Sequence, residues 1–351
     1  MIRSSADGHA VVVGAGLAGL LSAQVLARRF ARVTLVERDR LPQSGPAFRP
    51  GVPQSRHVHL LWSRGLDLIE SQLPGITDDL LAGGARLLRA PTDLHWPSPV
   101  DWFGPMPGTT LLAGSRELIE WTVRQQVLRE KRIEPRTGTE AIGLLAAPGD
   151  AGVRGIGVRP RGTPNDDRAE QLTADFVLDA SGRTWRHYER LRRWPDGFVV
   201  LGDASCRFNP VYGHGMTVAA LAAHSLAQET EGRDHHGIRR AARRIQRRTA
   251  ASASTALGIA LGGDLRSPDT EGPQPGRFAT VLQRYMPHLL AGANKDPVLS
   301  HALFDVLSLN ATPSTLFAPS TVIRVLGKWR LPTAPATEPY PPNGHSARAQ
   351  P

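Results

Sequence analysis

The sequence predicts an α/β fold organised on a parallel sheet. Three observations lead to it. Residues 9–13 form a short apolar run that stops at Gly14-Ala15-Gly16-Leu17-Ala18-Gly19, and a helical pattern then leads to a second strand, Arg32–Val36, ending at Glu37. Two later apolar runs, 175–180 and 198–201, end in Asp179-Ala180-Ser181-Gly182 and Gly202-Asp203, the form of buried parallel strands that feed tight turns. Finally, 351 residues are enough for one large domain or two ordinary ones.

Composition narrows the class. Hydrophobic residues make up 40% and charged residues 21%, so most of the chain can bury a core. Cys206 is the one cysteine, which excludes an internal disulfide framework and a four-cysteine zinc site and fits a reducing compartment; the expected location is the cytoplasm. No apolar run reaches the ~18 residues of a membrane span. The formal charge is +10, yet only Lys131, Lys295 and Lys328 are lysines. An arginine-, alanine-, glycine- and proline-rich composition of this kind follows from codon bias as readily as from an anionic partner, so nucleic acid is not expected. Residues 10–21 could pass for the apolar part of a signal peptide, but the basic start is a single Arg3 offset by Asp7 and no small-residue cleavage site follows.

Taken in order, the elements read as follows. After the first strand–turn–helix–strand unit, 41–56 is a loop rich in Pro, Gly and Arg. Helical patterns occupy 60–73 and 77–83, and 91–108 reads as irregular strands and turns carrying Trp96, Trp102 and Phe103. Ser115 is the N-cap of a helix over 116–130. Residues 139–146 and 153–159 form a hairpin about Pro148-Gly149-Asp150. A helical stretch, continuous or broken, starts near Gly215 and runs past Thr249, 277–291 and 297–309 are helical, and the Pro/Ala-rich 331–351 is a disordered tail.

The N-terminal unit is a dinucleotide fingerprint, with Glu37 eighteen residues after Gly19. Gly14 permits the tight turn, Gly16 lets the backbone approach a pyrophosphate, and Gly19 lets helix and strand pack closely. The helix N-terminus offers unpaired N–H groups to phosphates, and Glu37 is placed to accept hydrogen bonds from a ribose diol. The fingerprint alone leaves NAD and FAD open.

Further motifs narrow that choice: the strand ending in Gly202-Asp203, then Pro210, then Gly213-His214-Gly215-Met216 opening a helix, and Gln54-Ser55-Arg56-His57-Val58-His59 after the second strand. With them the sequence resembles flavin-dependent monooxygenases of the aromatic-hydroxylase and epoxidase type, in the actinobacterial branch that includes polyether epoxidases. The resemblance covers most of 9–230 and continues through Gly263-Asp264-Leu265-Arg266 and Asp296-Pro297-Val298. It implies a Rossmann-like, glutathione-reductase-like FAD-binding fold. FAD is the implied cofactor, NADH or NADPH the transient reductant, and molecular oxygen a substrate. One oxygen atom passes through a flavin hydroperoxide to a small hydrophobic or aromatic secondary metabolite. It also implies the cofactor contacts: Gly14, Gly16 and Gly19 at the turn, Glu37 and Arg38 near the adenosine, Arg56 in the loop, Arg116 near the pyrophosphate or ribityl, Asp203 on the ribityl chain, and Pro210, Gly213, Gly215 and Met216 at the flavin edge. Chemistry in such enzymes belongs to the cofactor, and no catalytic side chain is assigned.

The chain departs from that family in one place. Only 19 residues, 183–201, separate Gly182 from Gly202, where the family inserts a substrate sheet, and four strands with turns need roughly 35 residues. An internal deletion at 183–197 is expected, with the substrate domain truncated. The resulting domain reading is 1–90 and 113–230 for FAD binding, 91–112 as a remnant substrate-side segment, 231–330 as C-terminal helices and 331–351 as tail. Without a roof the flavin faces water, so a competent oxygenase and an oxidase-like or non-catalytic FAD-binding remnant both stand. A nicotinamide-linked dehydrogenase or flavin reductase is the third class.

Other features have blander readings. Arg239, Arg240, Arg243, Arg244, Arg247 and Arg248 repeat at i, i+4 and read as a solvated face, with docking of an acidic carrier protein as the functional alternative. His57 and His59 lack a third metal ligand. His214 contacts cofactor or fills the turn, and Cys206 is a small buried residue.

Overall fold

The computed structural model describes residues 7–52, 55, 58–94, 96, 102–150, 152–163, 169–182, 193–206, 212–264 and 277–327. The chain divides into two compact units, one holding Met1–Leu87 and Leu111–Asp264, the other Leu88–Thr110 and Leu265–Pro351.

The first unit is built on a five-stranded parallel sheet. His9–Val13 (β1) leads through the glycine turn into Leu17–Leu26 (α1) and back to Arg32–Glu37 (β2). Val58–Trp62 (β3), Ser63–Gln72 (α2), Ile76–Ala82 (α3) and Arg86–Ala90 (β4) follow. After them come Thr109–Ser115 (β5), Arg116–Val127 (α4), Ile133–Thr137 (β6), the strands Thr139–Ala146 (β7), Val153–Pro160 (β8) and Glu170–Thr173 (β9), and then Phe176–Asp179 (β10) and Phe198–Val200 (β11). The parallel sheet has the order β11-β10-β1-β2-β6, with Val13 in register with both Val36 and Asp179. Pro135 lies in β6, where the edge position leaves its missing N–H without consequence.

Period-two alternation along β1 decides the layering. Ala10 and Val12 join the core that contains Leu20, Leu21, Phe30 and Phe176, on the side of α1, α2 and Met216–Leu226. Val11 faces the opposite way, against Val153, Ile156, Val158, Phe198 and Val200. The antiparallel sheet β7-β8-β9 therefore covers one face of the parallel sheet while helices cover the other. A further sheet has the order β3-β5-β4.

The expected helix over 60–73 begins later than its pattern suggests, because Leu60, Leu61 and Trp62 pair as a strand with Ala113, Leu112 and Leu111. A continuous apolar triplet does not distinguish the two states. Ser115 caps α4 as expected, its Oγ accepting from Leu118 N at 3.1 Å. The C-terminal helical stretch of the first unit is three helices, His214–Thr230 (α5), His235–Arg240 (α6) and Ala242–Asp264 (α7). Gly232, at φ +67°, ends the first, and Asp234 caps the second by accepting from Gly237 N. From α7, Gln246 reaches the edge strand β11: its Oε1 accepts from Val200 N at 2.7 Å and its Nε2 donates to Val200 O at 3.2 Å.

The second unit contains Arg277–Ala293 (α8), Pro297–Leu307 (α9) and Pro319–Gly327 (α10). Trp96 and Phe103 both set their rings edge-on to Phe304 at 5.6 Å, so these aromatics form its core. Asp296 caps α9, accepting from Val298 N and Leu299 N, and pairs with Arg324 at 3.1 Å. Residues 183–192 of the joint expected at 183–197, the remainder of the Gln54–His57 segment, the stretch 207–211 and the 331–351 tail lie outside the described residues.

Candidate functional site

In a parallel sheet the C-terminal ends of all strands lie at one edge, so the turns after β1, β10 and β11 converge there. The three glycines after β1 differ in what surrounds them. Gly14 has φ +99°, and a Cβ on it would lie 2.5 Å from Ala180 O. A Cβ on Gly19 would lie 1.8 Å from Gly14 O. Gly16 has nothing within 4 Å of such a Cβ. Two glycines close the turn on itself, while the middle one faces open space at the N-cap of α1, as a cradle for a phosphate-bearing group requires.

Glu37 ends β2 beside this turn. Its Oε2 accepts from Ala15 N at 2.8 Å and its Oε1 from Asp39 N at 2.9 Å. Arg49, a residue the sequence pattern did not single out, places Nη1 3.2 Å from Glu37 Oε2 and 3.7 Å from Asp39 Oδ2. Its Nη2 meets Glu120 Oε1 and donates to Ala15 O at 3.4 Å. Glu120, buried on α4, also lies 3.8 Å from Arg116 and 4.0 Å from Arg124. Asp39 accepts from Gly51 N at 2.7 Å and pairs with Arg161, which pins the loop after β2. Nearby acids hold the Arg49 guanidinium above its ordinary pKa against the cost of burial. Burial pushes Arg116 down, opposed by Glu120 and Asp203. Both remain cationic at any accessible pH.

This cluster borders a cavity lined by Arg49, Val52, Ser55, Arg116, Glu120 and Arg124. Arg49 Nη1 is held by Glu37 and Asp39, while two polar atoms there, Ser55 Oγ and Arg116 Nε, are buried without a hydrogen-bond partner. Buried donors of this kind are costly unless a ligand meets them. Beside the open Gly16, they fit an anionic dinucleotide such as FAD.

Of the residues expected from sequence, Gly14, Gly16, Gly19 and Glu37 stand together at this edge. Arg116 is joined to Asp203 electrostatically across the turn after β11. Gly202, at φ +61°, brings that turn against α1, since its Cβ would lie 2.8 Å from the Ala18 Cβ. Gly213 has φ +65° and is the N-cap of α5, with Met216 buried and Gly215 exposed. His214 is buried beside Trp62 and Tyr212, with ring centroids 6.0 and 6.3 Å away, and Trp62 Nε1 donates to Tyr212 O at 3.2 Å. Gly51 packs close to the Arg38 side chain, which belongs to the loop rather than to the glycine turn. Arg56 and Pro210 lie outside the described residues. Cys206 is half-buried, and burial with the nearby Asp203 carboxylate pushes its thiol up. The residues missed by sequence reading are Arg49, Ser55, Glu120 and Arg124; no local pattern marks an arginine in a loop as the partner of a glutamate 71 positions later.

The six-arginine run is not one face. It is split between α6 and α7, and Arg239 turns inward to donate to Val153 O and Asp175 O. Arg244 and Arg248 both meet Glu229. Among the described residues, no helix is long and apolar enough to cross a membrane.

Comparison with known proteins agrees with this geometry. Residues 7–79 match the family model described as FAD binding domain. A curated relative, Protein Rv3254 of Mycobacterium tuberculosis, is 34% identical over 206 residues, covering 53% of this chain and 40% of that protein, so the match spans less than half of the relative's length. Among solved structures, PqsL of Pseudomonas aeruginosa, a probable FAD-dependent monooxygenase, aligns with TM-score 0.54 at 15% identity over 74% of this chain and 97% of that one. OxyS anhydrotetracycline hydroxylase of Streptomyces rimosus aligns with TM-score 0.58 at 14% identity, over 86% of this chain and 76% of that one. The fold is that of FAD-dependent monooxygenases.

Proposed function

We propose that this chain binds FAD along the C-terminal edge of its parallel sheet and acts as an FAD-dependent monooxygenase on a small hydrophobic or aromatic substrate. One observation carries the reading: the open Gly16 turn, the buried donors of Arg49, Ser55 and Arg116, and Asp203 beside Arg116 meet at one sheet edge. Bound FAD would supply the redox and oxygen chemistry, with NADH or NADPH as the reductant.

The chain's own residues bind and orient. Gly14 and Gly19 hold the turn that exposes Gly16; Glu37 takes the ribose, with Arg38 on the loop beside it. Arg116, with Arg56 from the loop, neutralises phosphate charge, and Asp203 accepts from the ribityl hydroxyls. Pro210 precedes α5 in the sequence and belongs to the same cofactor set, and Gly213, Gly215 and Met216 present a helix N-terminus whose positive end stabilises negative charge on a reduced ring. An alkene, as in epoxidation, or an aromatic ring of a secondary metabolite is the proposed acceptor. The single cysteine suits a cytoplasmic protein. An acidic carrier protein bringing the substrate would meet the exposed Arg240, Arg243 and Arg247.

A second reading rests on the 19 residues between Gly182 and Gly202. With little chain to exclude water, the protein would return reduced oxygen as peroxide, an oxidase-like remnant. Oxygen uptake driven by NADPH, with product and peroxide measured together, separates the two. Product in proportion to NADPH supports the monooxygenase; peroxide accounting for all oxygen with every aromatic and alkene substrate offered removes it.

A further inference from the structure

We propose that Arg49 is a specificity latch on the nucleotide position, closing Glu37 in the free protein and yielding only to a ligand that carries a vicinal diol and a phosphate together. This rests on the reading that FAD binds at this edge.

A carboxylate offers about four lone-pair directions. At Glu37 two are taken by backbone N–H groups, Ala15 at 2.8 Å and Asp39 at 2.9 Å, which the fold holds in place. The third neighbour is a side chain, Arg49 Nη1, 3.2 Å from Oε2. One direction then remains for the two hydroxyls of a ribose, so a diol engages Glu37 fully only when Arg49 moves away.

Arg49 is held where it is by acids. Its side chain is 4% exposed, and Nη1 pairs with Glu37 at 3.2 Å and lies 3.7 Å from Asp39. Against the cost of burial, Glu120 and Glu37 keep the guanidinium above its ordinary pKa, so only another anion can take their place. The other nitrogen is held by Glu120 and Ala15 O, so the guanidinium can swing about that anchor without leaving its acids altogether. It borders the cavity that also receives Ser55 and Arg116, both with unpartnered buried donors. A phosphate in that cavity offers the displaced Nη1 a charge-assisted partner. A nucleoside supplies the diol for Glu37 and leaves the arginine uncompensated. A bare phosphate supplies the anion and leaves Glu37 without its cation. Only a nucleotide satisfies both groups in one exchange. Glu120 is the positioning residue of this device, since it holds Arg49 beside Arg116 and Arg124.

The test uses apoprotein and two readouts that do not depend on turnover. FAD association is followed by quenching of flavin fluorescence, and ADP and adenosine binding by calorimetry. In the wild type the association rate reaches a plateau as FAD rises, because latch opening becomes limiting. In Arg49→Met the rate stays linear and exceeds that plateau, and the preference for ADP over adenosine falls by about tenfold, the equivalent of one charge-assisted hydrogen bond. Arg49→Lys, which keeps the charge but cannot reach Glu37 and Glu120 together, shifts both readouts the same way and decides the matter if the methionine variant fails to fold. Wild-type rates linear in FAD, with an ADP preference unchanged in either variant, would overturn the latch and leave the FAD reading standing. A wild-type chain that binds neither FAD nor ADP overturns both.

Discussion

Gly19 sits so close to the Gly14 carbonyl that a Cβ on it would lie 1.8 Å from that oxygen, whereas a Cβ on Gly16 would meet nothing within 4 Å. The same short turn thus contains one glycine required by packing and one required by nothing in the protein itself.

The two positions separate folding from binding. Gly19→Ala forces apart α1 and the turn after β1, at a cost of about 3 kcal/mol and a fall in melting temperature of roughly 6–12 °C. Gly16→Val adopts the backbone there, φ −76° and ψ 178°, without strain and keeps the wild-type melting temperature. It loses FAD, because its side chain fills the space the phosphates need. Thermal melts and flavin content of the two purified variants check this.

Gln246 completes the edge of the parallel sheet by bracketing Val200 with an acceptor and a donor. Gln246→Leu leaves a backbone N–H and a C=O of β11 without those partners, at about 2–3 kcal/mol. Gln246→Glu keeps the acceptor for Val200 N but sets a carboxylate oxygen against Val200 O, so its cost grows as pH rises and the carboxyl ionises. Urea unfolding of the three proteins, together with hydrogen exchange at the Val200 amide, measures the difference.

His9 ties β1 to its neighbours, with Nε2 2.8 Å from Thr34 Oγ1 and Nδ1 2.7 Å from Thr173 O. Burial lowers its pKa from 6.5, with the Thr173 carbonyl opposing. A base with a depressed folded pKa binds fewer protons folded than unfolded, so its contribution is complete above the unfolded value. It is lost as pH falls from 6.5 through the folded pKa. Denaturant midpoints recorded between neutral and mildly acidic pH should decline, and His9→Asn should flatten that decline.

Asp203 can be located without any cofactor. Burial and the Asp203 carboxylate both push Cys206 up. Asp203→Asn therefore lets the thiol ionise at lower pH, read from the pH dependence of its reaction with a disulfide reagent. An unchanged profile would place Asp203 away from Cys206.

What the sequence made legible was local. The Gly14, Gly16 and Gly19 spacing, Glu37 at the end of β2 and the Ser115 cap are contacts between residues near in the chain, or are fixed by one turn. The sequence allows a break in the helical stretch after Gly215, and Gly232 followed by the capping Asp234 is where it falls. Leu60–Trp62 reads as helix in sequence and is strand in the fold, because a continuous apolar triplet does not separate the two states. Arg49 was illegible for a different reason: the loop after β2 shows only abundant arginine, and its partners Glu37, Asp39 and Glu120 are assembled by the fold. Arg239 likewise belongs to an arginine run by sequence and to the carbonyls of Val153 and Asp175 by structure.

The most direct test is a titration of the purified apoprotein with FAD, beside Gly16→Val as the control. One FAD per chain should bind the wild type with loss of flavin fluorescence, and none should bind the variant although it melts at the same temperature. A correctly folded wild type that takes up no FAD, or a Gly16→Val protein that binds it equally well, would contradict a cofactor laid across this turn.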